Sequence, residues 1–351
     1  MKSIGSIKDI FDVLIGEKPQ HIVILPHVRT DPDALGSSYG FAQLALQLGS
    51  KPRIIVDEKP SRHKFIYQDF PIENFSETLC QKMEKPDLFV FIDHHSIERL
   101  NQRQKLLENF PTTNILIIDH HLIEESSKKE FYEKINTNER QAKAWIDSSR
   151  SSASELVAEL FVNKDIDNPN ITLNKNISTA LLAGIYGDTG GLRFSNSSKR
   201  TFEICALLKL DDVKIDKISD KLFGEKNLNQ LQLYGEIYRQ ANLNEKGNLI
   251  WFAVKPELLS KYQCEQDDLE GLSSEMRNVE NIDLAILIRQ ISEHDIRVNL
   301  RSNEKINVAD LASEFGGGGH ARAAGITYKD KKTLEDFTDE LLAKAERILN
   351  D

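Results

Sequence analysis

Two copies of one triplet are the first candidates for chemistry: Asp93-His94-His95 in FIDHHSIERL and Asp119-His120-His121 in IIDHHLIEE. Each follows a short apolar run. Imidazole and carboxylate groups together ligate Mn2+, Fe2+ or Zn2+, and a set without cysteine does not favour structural zinc. Upstream, HVRTDPDALGS places His27, Asp31 and Asp33 around Pro32, just past another apolar run. Asp31 and Asp33 are two apart, so an extended segment would point both the same way. A turn held by Pro32 can instead fan them around two metal positions. Asp188, in IYGDTGG, follows an apolar helical pattern. Each of these alone has a plain structural reading, as an Asx turn or a helix cap. A carboxylate beside a buried apolar run is costly, however, unless it is paired or bound to metal. Four such placements point to one metal-binding edge. The repeated triplet leaves three readings: one site written twice, two halves of a single site, or a chance echo.

A second cluster lies near the C-terminus. FGGGGHARAAGI carries Gly316, Gly317, Gly318 and Gly319, followed by His320 and Arg322. Consecutive glycines let backbone N–H groups approach an anion closely. The run lacks the Lys-Ser or Lys-Thr of a Walker A loop, and it lies too late for the dinucleotide fingerprint. A tightly packed turn is the structural alternative. Arg297 and Arg301 are four apart on a strand pattern, hence on one face, where they can form a bidentate phosphate clamp or a solvated surface. Arg193, in GGLRFSN, is a weaker phosphate candidate.

The elements that must position these residues are legible in outline. HIVILPH, PRIIVDE, DLFVFID and NILIIDH read as buried strands with helices between them, as in a parallel sheet covered on both faces. A helical pattern runs from Gly36 through Leu48. Ligands bind such sheets beyond the carboxyl ends of the strands, where His27, Asp93 and Asp119 fall. SSASELVAELF starts a helix with Ser152 as N-cap and Glu155 at the capping-box position. NISTALLAGIYGDTGG reads as a helix ending near Asp188. Residues from about 198 to 243 look helical throughout. NLIWFAV, IDLAILIRQ and HDIRVNLRS then begin a second α/β pattern that reaches the glycine run.

With 351 residues, two domains are expected. Apolar residues at 40% and charged residues at 28% fit a soluble globular protein. No apolar run approaches the roughly 20 residues of a membrane span, and the amphipathic N-terminus is not a secretory signal. The cytoplasm is therefore the expected compartment, and three scattered cysteines, Cys80, Cys205 and Cys264, give no disulfide framework or zinc ribbon. A net charge of −10 argues against broad affinity for duplex nucleic acid, though a local pocket or metal ions can reverse the sign within one cleft.

In order along nearly the whole chain, these motifs resemble the DHH phosphoesterases with a C-terminal DHH-associated domain, and among them the NrnA-like oligoribonucleases, or nanoRNases, which also dephosphorylate pAp. HVRTDPDALGS is similar to the family's first motif and IDHHL to its DHH motif. WIDSSRSSASELVAEL and GIYGDTGGLRFSNSSKRT are similar to later blocks, and RVNLRS with GGGGH to the substrate-binding end of the second domain. The family's second motif is a single Asp at a strand end with an acid-Arg-apolar ending. Asp93 with Glu98, Arg99 and Leu100 matches it, which makes His94 and His95 this chain's departure. The resemblance treats those two as polar fillers, with an outer-shell contact or an additional ligand from His94 as the sharper alternative.

The resemblance implies an α/β fold: a parallel-sheet DHH catalytic domain over residues 1–209, a helical linker over 210–246, and a smaller α/β DHH-associated domain over 247–351, with the active site in the cleft between them. It implies two Mn2+ or other divalent ions, one held by His27, Asp31 and Asp93 and the other by Asp33, Asp93, His120 and Asp188. His121 would face the substrate phosphate or the attacking water, with Asp119 orienting its neighbours. Two such ions about 4 Å apart can share and acidify a water that attacks phosphorus. Arg297, Arg301, Gly317, Gly318, Gly319 and His320 would hold the substrate. The implied activity is release of nucleoside 5′-monophosphates from short single-stranded RNA and removal of the 3′-phosphate of pAp. Cyclic di-AMP or pApA is the alternative substrate, and an inert nucleotide-binding regulatory module is the rival from another class. No membrane or duplex DNA partner is implied, and a homodimer is the candidate assembly.

Overall fold

The structure is a computed structural model that describes residues 3–68, 70–123, 133–136, 139–163, 168–303, 306–330 and 332–350. It divides into two compact units, Met1–Gly224 and Glu225–Asp351.

The first unit is built on a seven-stranded sheet. Its strands are β1 (Ser3–Ile4), β2 (His21–Pro26), β3 (Lys51–Val56), β4 (Ile72–Asn74), β5 (Leu88–Ile92), β6 (Asn114–Asp119) and β7 (Ala142–Asp147), in the order β1-β7-β6-β5-β2-β3-β4. From β7 to β4 every pairing is parallel; β1 alone is antiparallel, on β7. The apolar runs are continuous because both sheet faces are buried. Ile22, Ile24, Val90, Ile92, Leu116 and Ile118 pack on one face, and Val23, Leu25, Phe89, Phe91, Ile115 and Ile117 on the other. Helices Pro32–Gln47, Ala153–Val162 and Lys175–Thr189 belong to the first of these cores, through residues such as Phe41, Leu156 and Leu181.

These helices approach one another at glycines. A Cβ on Gly36 would lie 2.3 Å from the Ala180 carbonyl oxygen. On Gly184 it would lie 1.9 Å from Ser154 Oγ and 2.9 Å from Asp33 Oδ1. Both helix backbones therefore press on the segment that carries Asp33.

The second unit has a six-stranded mixed sheet. Its strands are β8 (Asn242–Leu243), β9 (Leu249–Val254), β10 (Leu284–Ser292), β11 (Asp295–Ser302), β12 (Gly318–His320) and β13 (Ala323–Tyr328), in the order β12-β13-β11-β10-β9-β8. Helix Leu334–Asn350 covers one face through Phe337, Leu341 and Ala345; helix Leu228–Gln240 covers the other through Leu233, Tyr234 and Ile237.

Several expectations need correcting. The helix after the first motif begins at Pro32, not near Gly36, because Asp31 caps it and Pro32 suits its first position. Strands β1, β4 and β7 went unread; β1 and β4 are too short to carry a pattern, and β7 is apolar only at its end. Residues 198–243 are not helical throughout, since helix Lys199–Leu208 ends early and β8 follows the later helix. The segment assigned to a linker, 210–246, is shared between the units: Val213 and Ile218 lie in the first core and Leu233, Tyr234 and Ile237 in the second. Ser152 does cap its helix, accepting from Glu155 N, but the Glu155 carboxylate takes the N–H of Ser151 rather than that of Ser152. Among the described residues, no helix is long and apolar enough to cross a membrane.

Gly184→Ala should therefore lower stability by about 1–3 kcal/mol, the cost of overpacking a filled contact. Urea unfolding would show this, and a wild-type midpoint would mean that the Ser154–Gly184 contact is looser than these distances.

Candidate metal centre

The sheet order decides which residues meet. After β2 the chain winds outward to β3 and β4, then returns to β5 and winds outward the other way through β6 and β7. The reversal lies between β2 and β5, and ligands bind such sheets at that switch point, beyond the carboxyl ends. His27 follows β2, Asp93 follows β5, and Asp119 ends β6 immediately before His120. Because β5 lies between β2 and β6, Asp93 is central. Its backbone is left-handed, with φ +63°, a conformation that Asp tolerates better than most residues, and its N–H bonds to the Ile118 carbonyl at 3.0 Å.

The Asp93 side chain reaches both ways. Oδ2 lies 3.2 Å from His27 Nε2, and Oδ1 lies 3.4 Å from His120 Nε2 and 3.7 Å from His121 Nδ1. His27 Nδ1 donates to the Val28 carbonyl at 2.7 Å, which turns Nε2 toward Asp93 and toward Asp31 Oδ2 at 3.4 Å. Asp31 uses Oδ1 to cap its helix, accepting from Asp33 N and Ala34 N, each at 3.0 Å. Asp33 is fully buried and accepts Ala153 N at 2.7 Å and Ser154 N at 2.8 Å, at the start of helix Ala153–Val162. That helix end favours an anion. His120 Nε2 is 3.1 Å from Asp188 Oδ2 and 3.9 Å from Asp33 Oδ2. Asp188 lies one residue before the end of helix Lys175–Thr189, which Gly190 closes with φ +58°.

The candidate ligand atoms form overlapping groups: His27, Asp31 and Asp93; Asp33, His120 and Asp188; and Asp93, His120 and His121, each set within 4.8 Å. One observation tests whether cations fit. Asp93 Oδ1 is buried and has no hydrogen-bond partner. A buried carboxylate oxygen without a donor is costly, and a cation relieves that cost. The donors are imidazole nitrogens and carboxylate oxygens, a set suited to first-row divalent ions.

Protonation responds to the same crowding. Burial opposes charge on His27, but Asp31 and Asp93 outweigh it and raise its pKa well above the ordinary value. His120 is likewise raised, with Asp188 and Asp93 prevailing over burial. Burial, reinforced by Asp93 and Asp188, lifts Asp33 well above the usual carboxylate range. Burial carries Asp188 to about 6 despite His120. Burial also opposes ionisation of Asp93, yet His120 and His27 hold it below that range. Asp33, Asp188, His27 and His120 thus keep protons to higher pH than such groups ordinarily do, and bound cations would displace those protons.

The extra histidines of the first triplet are both engaged. His94 is buried and stacked on Phe91 at 5.0 Å between centroids, with its ring nitrogens 2.9 Å from the carbonyl oxygens of Leu25 and Ser96. Burial pushes its pKa down to about 4, so the neutral ring donates to one carbonyl at a time. His95 Nδ1 meets Asp119 Oδ2 at 2.5 Å, and His121 Nδ1 meets Asp119 Oδ1 at 2.7 Å. The reading of His94 and His95 as fillers missed these contacts, and only the repetition of the triplet hinted at them. The backbone N–H groups of Ala153 and Ser154 were also missed, because a capping signal marks where a helix starts and not which carboxylate it receives.

In the second unit, Arg297, Asn299 and Arg301 alternate with buried Ile296, Val298 and Leu300 on β11, which puts the two arginines on one sheet face. Arg301 is drawn inward and donates to Ser274 Oγ at 3.2 Å, while Arg297 Nε lies 3.8 Å from Asp295 Oδ1. Gly318 pairs with Gly325, which in turn pairs with Asn299, so no side chain rises from two of those three strands at that level. The Gly317 N–H is bonded to the Ala312 carbonyl at 2.8 Å, and a Cβ there would meet the Gly325 carbonyl oxygen at 2.3 Å. Gly317 is therefore glycine for packing. His320 ends β12, and its side chain lies outside the described residues. Arg193 Nε donates to the Gly190 carbonyl at 2.6 Å.

Comparison with known proteins gives this architecture a class. The DHH family N-terminal domain matches residues 21–185 and the DHHA1 domain matches residues 248–351, so the chain carries the two domains of the DHH phosphoesterases with a DHH-associated domain. Within that class it is similar to the bifunctional oligoribonuclease and PAP phosphatase NrnA of Mycoplasma pneumoniae, 28% identical over 333 residues and 94% of each chain. It is also similar to the protein of the same name from Bacillus subtilis, 27% identical over 330 residues, 93% of this chain and 94% of the relative. An exopolyphosphatase-related protein from Bacteroides fragilis shares the fold, with TM-score 0.83 and 23% identity over 99% of this chain and 100% of that one.

The pKa directions set a pH dependence for the chelator-treated protein. His27, His120, Asp33 and Asp188 are all raised, so their folded forms hold protons that the unfolded chain gives up at lower pH. That stabilisation fades as pH climbs. Asp93 and Asp119 are lowered, so their contribution is complete above about pH 5 and stays level. Above about pH 7, where the lowered pKa of His94 no longer adds stability, the melting temperature without metal should therefore fall as pH climbs, and added Mn2+ should recover it. A melting temperature that rises in that range would contradict the assignment. By calorimetry, His120→Ala should lose most Mn2+ binding. His94→Ala should keep it while losing about 2 kcal/mol of stability; loss of Mn2+ binding in His94→Ala would make His94 a ligand.

Proposed function

We propose that this protein hydrolyses short oligoribonucleotides to nucleoside 5′-monophosphates and removes the 3′-phosphate of pAp, with two Mn2+ as cofactors. The observation that carries the reading is the buried Asp93 carboxylate, whose Oδ2 faces His27 and whose Oδ1, with no hydrogen bond of its own, faces His120. The NrnA relatives named above support the substrate class.

In this reading one ion is held by His27, Asp31 and Asp93 and the other by Asp33, Asp93, His120 and Asp188. Bound divalent ions supply positive charge for the phosphoryl oxygens and lower the pKa of a water. The chain does the rest. The Val28 carbonyl fixes the His27 tautomer by taking its Nδ1–H, which leaves Nε2 as the ligand atom. Asp119 takes the Nδ1–H of His121 and, with Asp93, raises its pKa against burial, so that the protonated ring offers Nε2–H to a phosphoryl oxygen. Arg297 and Arg301 hold a phosphate, and Gly318, Gly319 and His320 approach the nucleotide. Gly317 contributes to the shape of that turn. No Ser or Cys nucleophile is needed; the three cysteines are buried and free, which fits a reducing compartment such as the cytoplasm.

Purified protein with Mn2+ should release mononucleotides from di- to pentaribonucleotides and phosphate from pAp, followed by chromatography beside pApA and cyclic di-AMP. Nucleotide binding without turnover of any of these, with Mn2+ bound, would instead make the chain a regulatory binding module.

A further inference from the structure

We infer that His95, from the first triplet, is a positioning residue for His121 of the second, acting through the carboxylate of Asp119. This rests on the phosphoesterase reading above. The Asp119 carboxylate is fully buried, while both imidazoles are partly exposed at its two oxygens. Oδ1 takes His121 Nδ1 at 2.7 Å and His121 backbone N at 3.1 Å; Oδ2 takes His95 Nδ1 at 2.5 Å. Among the described residues no other group donates to Oδ2. An ionised carboxylate gives no proton, so each Nδ1 carries the hydrogen of its bond and each ring turns Nε2 away from Asp119.

Geometry makes the second bond matter. With donors on Oδ1 alone, the carboxylate could turn about its Cβ–Cγ bond and carry His121 with it. A donor on Oδ2 closes that rotation. His95 is itself anchored, because the adjacent His94 ring lies between the carbonyls of Leu25 and Ser96. The loop after β5 thereby holds a side chain at the end of β6. A polar filler would need neither contact.

The test compares His95→Ala with His95→Asn, whose side-chain amide can place an N–H near the position of Nδ1. For wild type and both variants, kcat and KM for a dinucleotide are measured with Mn2+, together with Mn2+ stoichiometry. The proton NMR spectrum of the metal-free protein reports the His121 Nδ1–H directly. In His95→Ala, kcat should fall about tenfold to a hundredfold, the usual range for outer-shell partners, with KM and stoichiometry unchanged. The His121 Nδ1–H resonance should move. His95→Asn should recover most of kcat and return the resonance. Wild-type kcat in His95→Ala with an unmoved resonance would overturn the inference, and so would an equal kcat loss in both variants that tracks their melting temperatures. If wild type itself turned over no substrate, the phosphoesterase reading would fail, while the metal-free spectra would still decide whether His95 positions His121.

Discussion

A carboxylate buried at the middle of a parallel sheet must be answered by positive charge, and the first unit is organised around that demand at Asp93. The side chain is 2% exposed and has one oxygen without a hydrogen-bond donor. Its backbone is left-handed, so the chain holds the group there at conformational cost. Such costs persist only where surrounding structure over-determines them. Here β2 and β6 flank β5, and each delivers a histidine to one side of the carboxylate. The central strand therefore bears the acid common to the His27–Asp31 group and the His120–His121 group. That sharing follows from strand order.

Holding this cluster requires support from below. Asp33 is also buried, and both of its oxygens rest on the N–H groups that open helix Ala153–Val162. The same helix start is braced from behind. Glu155 accepts from Ser151 N, Ser151 Oγ and Thr201 Oγ1, and Arg150 bridges Glu155 and Glu159. Arg200 pairs with Glu159 from helix Lys199–Leu208. Buried charges of this kind are weak sources of net stability and are costly to break singly. Their value here is positional: they fix the helix end that fixes Asp33. Gly184 completes the arrangement, since any side chain there would displace Ser154 and Asp33 together.

The sequence made the candidate ligands legible because His27, Asp31, Asp33, Asp93 and His120 follow closely on the ends of apolar strands, while Asp188 lies at the end of an apolar helix. His27, Asp31, Asp33, Asp93, His120 and Asp188 could be named that way, and the structure brings them within one cluster. What stayed hidden was set by long-range geometry. Which backbone N–H groups receive Asp33 depends on how helix Ala153–Val162 crosses helix Pro32–Gln47, and no local pattern encodes that crossing. The glycine run is a different case. Four consecutive glycines look like an anion cradle, yet Gly317 is glycine because the Gly325 carbonyl oxygen leaves no room for a Cβ. Composition alone could not separate close packing against β13 from close approach to a ligand.

The paired triplets make the same point at higher resolution. Ile92 pairs with Ile118, so Asp93 and Asp119 are the next residues of neighbouring strands in one register. On register alone they should play matching parts. They do not, because β6 continues through Asp119 while the chain at Asp93 turns left-handed. After that turn the acid of the first triplet enters the metal cluster and its first histidine drops beneath, onto the Leu25 carbonyl. In the second triplet the order is reversed: the acid is buried behind the cluster and the first histidine, His120, enters it. The third letters then converge, since His95 and His121 both bind Asp119. Identical residues take different places where one backbone dihedral differs, and the side chains of the two triplets meet in a single cluster.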